Sequence, residues 1–197
     1  MQTEGMKKRI QSGKLDDRFL DIYVDSSILA YQKERYINAI NKFESCYGAG
    51  EVEVFSAPGR SEVGGNHTDH QHGEILAASI NLDAIGVVRA MDDNQIRIIS
   101  DGYEELLVSL HDMEAKAEER ETTKALIKGV VAGFVNRGYS VGGFCAYITS
   151  DVLIGAGLSS SAAFETLIGT ILSGLYNNMI ISAVEIAMIG QYAENVY

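Results

Sequence analysis

From Glu51 onward the apolar residues of this chain stop recurring at three- and four-residue steps and begin to alternate. That change of period separates helix from strand and fixes the class of fold open to the chain. Before it, Ile28, Leu29, Tyr31, Tyr36, Ile37, Ile40 and Phe43 mark one helix face that Gly48 and Gly50 close, so residues 1–50 read as helical. After it, Val52, Val54 and Ser56 alternate with Glu51, Glu53 and Phe55. This short strand is expected to end at Pro58-Gly59, where the only proline suits a fixed turn. Residues 61–73 are polar and glycine-rich and read as a loop. Residues 75–90, apolar and β-branched with one acid at Asp83, read as a strand or bent pair. Residues 95–99 and 105–110 are expected to continue a β-meander through the turn pair Asp101-Gly102.

The helical period then returns. Acidic residues 112–121 form a solvated linker or short helix, and Thr122-Thr123 can cap a helix over 124–136 with Leu126, Ile127, Val130, Val131 and Phe134 on one face. Gly138 ends it, residues 142–149 make another strand, and a glycine-serine loop opens a helix at Ser159. The last helix runs from about Ser182 to Asn195-Val196-Tyr197 with no terminating glycine or polar tail, the pattern of a chain cut short. Mixed α+β in one compact unit is the fold class expected.

Composition narrows the partners. Of 197 residues, 46% are hydrophobic and 22% charged, which excludes a disordered tail or a disulfide miniprotein. Sixteen Lys and Arg against 27 Asp and Glu give a formal charge of −11, so nucleic acid and anionic membrane are not expected partners. An anionic ligand would need a local device against that field. The N-terminus is charged without an apolar core, unlike a signal peptide, and Gly169, Gly174 and Asn177-Asn178 interrupt the uncharged stretch 166–184 before it can span a bilayer. A cytoplasmic chain with Cys46 and Cys145 as reduced thiols is the expectation.

The local device is Gly155-Ala-Gly-Leu-Ser-Ser-Ser161, set between a strand and an apolar helix. Gly155 and Gly157 let the backbone approach a ligand. Ser159, Ser160 and Ser161 place hydroxyls and first-turn amides at a helix N-terminus, which attracts phosphate. No Gly-Lys-Ser/Thr follows, so this is not a Walker loop, and Ser160 replaces the third glycine of a dinucleotide fingerprint. A capped core helix with a tight entry turn is the alternative, and the run of three serines favours phosphate. The second constellation is Arg60 with Asn66-His-Thr-Asp69, a fixed cation and a row of donors and acceptors suited to a polyol and a transferring phosphoryl group. Zinc on Asp69, His67, His70 and His72 is the alternative, although that spacing lacks the i, i+4 helical geometry of the metalloprotease motif; a solvated histidine loop is another. Glu194, alone, reads as an exposed helix carboxylate.

Together, Ser56-Ala-Pro-Gly-Arg60, Gly65-Asn-His-Thr-Asp69 and the glycine-serine loop resemble, in order and spacing, the galactokinase branch of the GHMP sugar and isoprenoid kinases. The resemblance covers residues 52–197. It implies the GHMP-kinase N-terminal domain, a ribosomal protein S5 domain 2-like mixed sheet with helices packed on it, over residues 51–197, preceded by a helical extension over 1–50. It also implies that the C-terminal half of the same protein is missing, with the Gly-Ile/Leu-Met-Asp-Gln segment that supplies the base.

By the same resemblance, ATP's phosphates lie on Gly155, Ala156, Gly157, Leu158, Ser159, Ser160 and Ser161. Mg²⁺ is held by Ser161 and Glu194, the sugar by Asn66, His67, Thr68 and Asp69, and Arg60 stabilises the transferring phosphoryl group. The implied reaction moves the γ-phosphoryl of ATP to the anomeric hydroxyl of galactose or a similar sugar, and the fragment alone is expected to be inactive. Three positions depart from the pattern. The signature's interior reads Ser61-Glu-Val-Gly, Asn66 stands where galactokinases carry a sugar-contacting glutamate, and Leu153 replaces a frequent proline. Two rivals remain. One is a non-catalytic galactokinase-like sensor of sugar and ATP. The other is a dinucleotide oxidoreductase, which would need a ribose-binding acid about 20 residues on, and Glu185 is too far along.

Overall fold

The computed structural model describes residues 1–65, 74–120, 122–152 and 157–197. Three helices come first: α1 (Thr3–Gln11), α2 (Asp16–Tyr23) and α3 (Leu29–Tyr47). Strands β1 (Glu53–Gly64), β2 (Leu76–Met91), β3 (Gln95–Ser100) and β4 (Leu106–Ser109) follow. Then come α4 (Thr123–Asn136), β5 (Gly143–Ser150), α5 (Ser160–Asn177) and α6 (Ala183–Val196).

The five strands form one mixed sheet in the order β1-β2-β5-β3-β4, antiparallel throughout except for the parallel pair β3 and β5. Alternation along the strands sends side chains to two separate cores. Ala84 and Val88 of β2, with Phe144, Ala146 and Ile148 of β5, pack under α4, α5 and α6 with Phe134, Leu167 and Ile189. Ile85 and Val87, with Cys145 and Tyr147, face the other way against Ile10, Tyr36, Ile40 and Phe43 of the N-terminal helices. Covered on both faces, the central strands are buried without interruption over residues 83–88 and 143–148.

Two expectations are corrected. β1 does not stop at Pro58-Gly59 but continues to Gly64, so residues 61–64 are strand rather than loop. β1 is the edge strand, where a proline's missing N–H takes no ladder bond away, and the register with β2 shifts between Pro58 and Arg60. The meander is also broken: β5 lies between β2 and β3, although β3 and β4 do pair as a hairpin. The chain leaves β4, crosses through α4 and returns to the middle of the sheet. Strand order there is set by which faces must be covered, not by nearness in sequence.

Buried charge ties the N-terminal helices to the sheet. Arg35 of α3 reaches Asp83 of β2 at 2.6 Å and Asp151, just after β5, at 3.2 Å. The hydroxyls of Tyr23 and Ser56 donate to the second Asp83 oxygen at 2.8 and 2.5 Å. Every carboxylate oxygen of Asp83 is thereby partnered at a depth where an unpaired one would cost several kcal/mol.

Candidate active site

The loop after β5 enters α5 through two residues with left-handed backbone, Gly157 (φ 73°) and Ser159 (φ 54°). For serine that conformation costs about 1 kcal/mol or more, and it persists only where the surroundings impose it. Ser159 is the N-cap of α5, yet its hydroxyl makes no capping hydrogen bond. The first-turn amides of an 18-residue helix are therefore left without a side-chain cap, which leaves them available to an anion.

Leu158, at the entry to α5, sits directly on β1. Leu158 accepts a hydrogen bond through its carbonyl from the Arg60 backbone N–H at 3.2 Å. Gly59 makes the approach possible: a side-chain carbon there would lie 3.1 Å from the Leu158 carbonyl oxygen and 3.1 Å from both Val152 methyls. The irregularity in β1 at Pro58–Arg60 thus brings the Arg60 backbone against the start of α5. Asp151, on the approach to the loop, is anchored in turn by Arg35 and by the hydroxyl of Tyr31 at 2.9 Å.

At this same end of the helical layer, α5 and α6 run antiparallel and meet face to face. Ser161, the second residue of α5, donates its hydroxyl to Glu194 of α6 at 2.9 Å, and both are exposed. One turn deeper, Glu165 lies against Gly190, where a side-chain carbon would come within 3.0 Å of the Glu165 Oε2. Glu165 is only 3% exposed, and its Oε1 has no hydrogen-bond partner among the described residues. Burial first, and the charge of Glu194 second, push its carboxyl up to about 8.

Of the residues singled out in the sequence, the structure brings together Arg60, Gly157, Leu158, Ser159, Ser160 and Ser161, with Glu194 on the facing helix. Gly155 and Ala156, the sugar-loop residues Asn66, His67, Thr68 and Asp69, and the histidines His70 and His72 of the zinc alternative lie outside the described residues. Both thiols are free, Cys46 exposed and Cys145 buried. Glu165 was not singled out, although a lone acid in the apolar run after Ser161 was a visible signal. A groove of about 710 Å³ between α3 and β5, lined by Asn38, Lys42, Asp101 and Tyr147, carries none of these side chains.

Ser161 and Glu194 offer a cation oxygen donors only, the chemistry Mg²⁺ prefers when one or two protein groups hold it beside phosphates and water. The unpartnered Oε1 of Glu165 one turn beneath is a further oxygen acceptor at that end of the domain. The donor set fits the ion.

Residues 125–197, which span α4 to α6, match the family model of the GHMP kinases N terminal domain. The fold is that domain's, a mixed sheet with helices packed on it: a mevalonate kinase structure from Methanococcus jannaschii superposes with a TM-score of 0.62 over 74% of this chain and 47% of its own, a likeness of fold at 19% identity. Residues 41–90 match the galactokinase galactose-binding signature. A galactokinase from Clostridium tetani (strain Massachusetts / E88) is 31% identical over 169 residues, which is 85% of this chain and 43% of that relative. The crystal structure of Lactococcus lactis galactokinase complexed with galactose superposes with a TM-score of 0.72 at 31% identity, over 80% of this chain and 41% of its own. The chain belongs to the galactokinase family, and it spans less than half the length of these relatives. Among the described residues no helix is long and apolar enough to cross a membrane.

Proposed function

We propose that the protein to which these residues belong transfers the γ-phosphoryl group of ATP to the anomeric hydroxyl of galactose or a closely similar sugar. The observation that carries this reading is the paired hydroxyl and carboxylate, Ser161 and Glu194, at the mouth of a helix whose first-turn amides have no side-chain cap. In this reading the ATP phosphates lie on residues 155–161, and Arg60 steadies charge on the group in transit. Mg²⁺ on Ser161 and Glu194 supplies charge neutralisation for the phosphates. Asn66, His67, Thr68 and Asp69 hold the sugar hydroxyls. With an amide at Asn66 in place of the family's carboxylate, the contact keeps an acceptor, gains donors and loses a charge, so the preferred sugar is the least constrained part of the proposal.

Residues 51–197 form the N-terminal domain of the kinase in this reading and residues 1–50 a helical extension that precedes it. The 197 residues alone are proposed not to turn over. Proton removal from the attacking hydroxyl by a positioned base is worth about 10²–10⁴-fold, and the carboxylates near this site other than the buried Glu165 each have a task or a partner. Glu194 faces the cation, Asp69 is assigned to the sugar, and Asp83 and Asp151 are paired with Arg35.

The test is coupled ADP release with ATP, Mg²⁺ and galactose, run on this chain and on the protein extended to the length of its relatives. Sugar-dependent turnover only by the extended protein is the expected result. Tight binding of galactose and ATP by the extended protein with no ADP released would favour the sensor reading instead.

A further inference from the structure

The facing surfaces of α5 and α6 meet in steps of four residues: Ser161 with Glu194, Glu165 with Gly190, and Gly169 with Ile186. The third step is apolar and the first is the exposed hydroxyl–carboxylate pair. The middle step is the anomaly. A glutamate only 3% exposed stands there, and a glycine on the opposite helix, Gly190, makes room for it. Its Oε1 accepts no hydrogen bond among the described residues, a condition that destabilises a fold unless some further group uses the oxygen.

We propose that Glu165 is the second carboxylate of the cation site, acting from one turn beneath Ser161 and Glu194 on a water molecule bound to the ion. This rests on the assignment of Ser161 and Glu194 to the cation made above. The lengths agree. Side chains four apart on a helix have Cβ atoms about 5–6 Å apart. From the Ser161 hydroxyl, two Mg²⁺–oxygen bonds of about 2.1 Å and a hydrogen bond of about 2.7 Å reach up to about 7 Å, enough to cover that spacing. Mg²⁺ gives up its waters reluctantly, and each remaining water needs an acceptor for its hydrogens. Glu165 supplies one that nothing else in the described structure occupies.

Mn²⁺ is the probe, titrated into the 197-residue chain at 0.15 M salt and followed by water-proton relaxation. Glu194→Gln is expected to abolish site binding. Glu165→Gln, the same size and still an acceptor but without the charge, is expected to weaken it about tenfold or more with the far-UV spectrum unchanged, as loss of a charged acceptor outside the ligand shell does. Unchanged affinity in Glu165→Gln beside lost affinity in Glu194→Gln would make Glu165 a packing residue and overturn the inference alone. Unchanged affinity in both would overturn the assignment of Ser161 and Glu194, and this inference with it. Should Glu165→Gln fail to fold, carboxyl ¹³C spectra of the unsubstituted chain decide. The Glu165 signal is expected to move on Mg²⁺ addition with the same midpoint as that of Glu194, and a stationary signal would overturn the proposal.

Discussion

Glu165 has a consequence for stability that needs no ligand. An acid whose carboxyl is raised to about 8 in the folded chain holds its proton longer there than in the unfolded chain, where it titrates near 4.5. Between those values the folded state binds more protons, so stability falls as pH rises, by up to about 1.4 kcal/mol per pH unit from this group. Urea melts at pH 5.5 and pH 8 should therefore show Glu165→Gln gaining on the unsubstituted chain as pH rises, without added metal; equal pH slopes in the two proteins would contradict the burial argument. Arg35 is the opposite case. Its guanidinium pairs with Asp83 and Asp151, and Arg35→Met leaves both carboxylates without their cation, one of them 2% exposed. A loss of about 3 kcal/mol in urea unfolding is expected, and a loss below about 1 kcal/mol would mean that the network is dispensable.

At the scale of elements, helix α4 begins where the Thr122 side chain accepts from the Ala125 N–H at 3.2 Å. Thr122→Ala should cost about 1 kcal/mol and Thr122→Gly only a few tenths, read by urea unfolding, with faster hydrogen exchange confined to the first turn. Equal losses would point away from the cap. This cap was legible in the sequence, as were the helical character of residues 1–50 and the helices α4, α5 and α6, because caps and periods are local. What escaped was not local. Pro58 looks like a terminator in one dimension and is tolerated because β1 is an edge, a property of strand order. β5 enters between β2 and β3 because both of its faces can be covered there, and no segment of sequence carries that information. Glu165 is visible as a lone acid, but its meaning comes from Gly190 on another helix.

At the scale of the whole molecule, a surface of formal charge −11 must accept a polyanionic nucleotide if the proposed function holds. Long-range attraction is absent, so the work falls on one end of the domain: uncapped amides of α5, the Arg60 segment against Leu158, and a cation held between two helices. The most direct measurement is steady-state galactose phosphorylation by the protein extended to the length of its relatives, with Ser161→Ala and Glu194→Gln compared over a range of Mg²⁺ concentrations. The account predicts sugar-dependent turnover in which Glu194→Gln lowers kcat/KM by at least about 100-fold, a loss of nearly 3 kcal/mol of transition-state stabilisation, and both variants need more Mg²⁺ for half-maximal rate. Turnover that is unchanged in Glu194→Gln, with the same Mg²⁺ dependence, would contradict it.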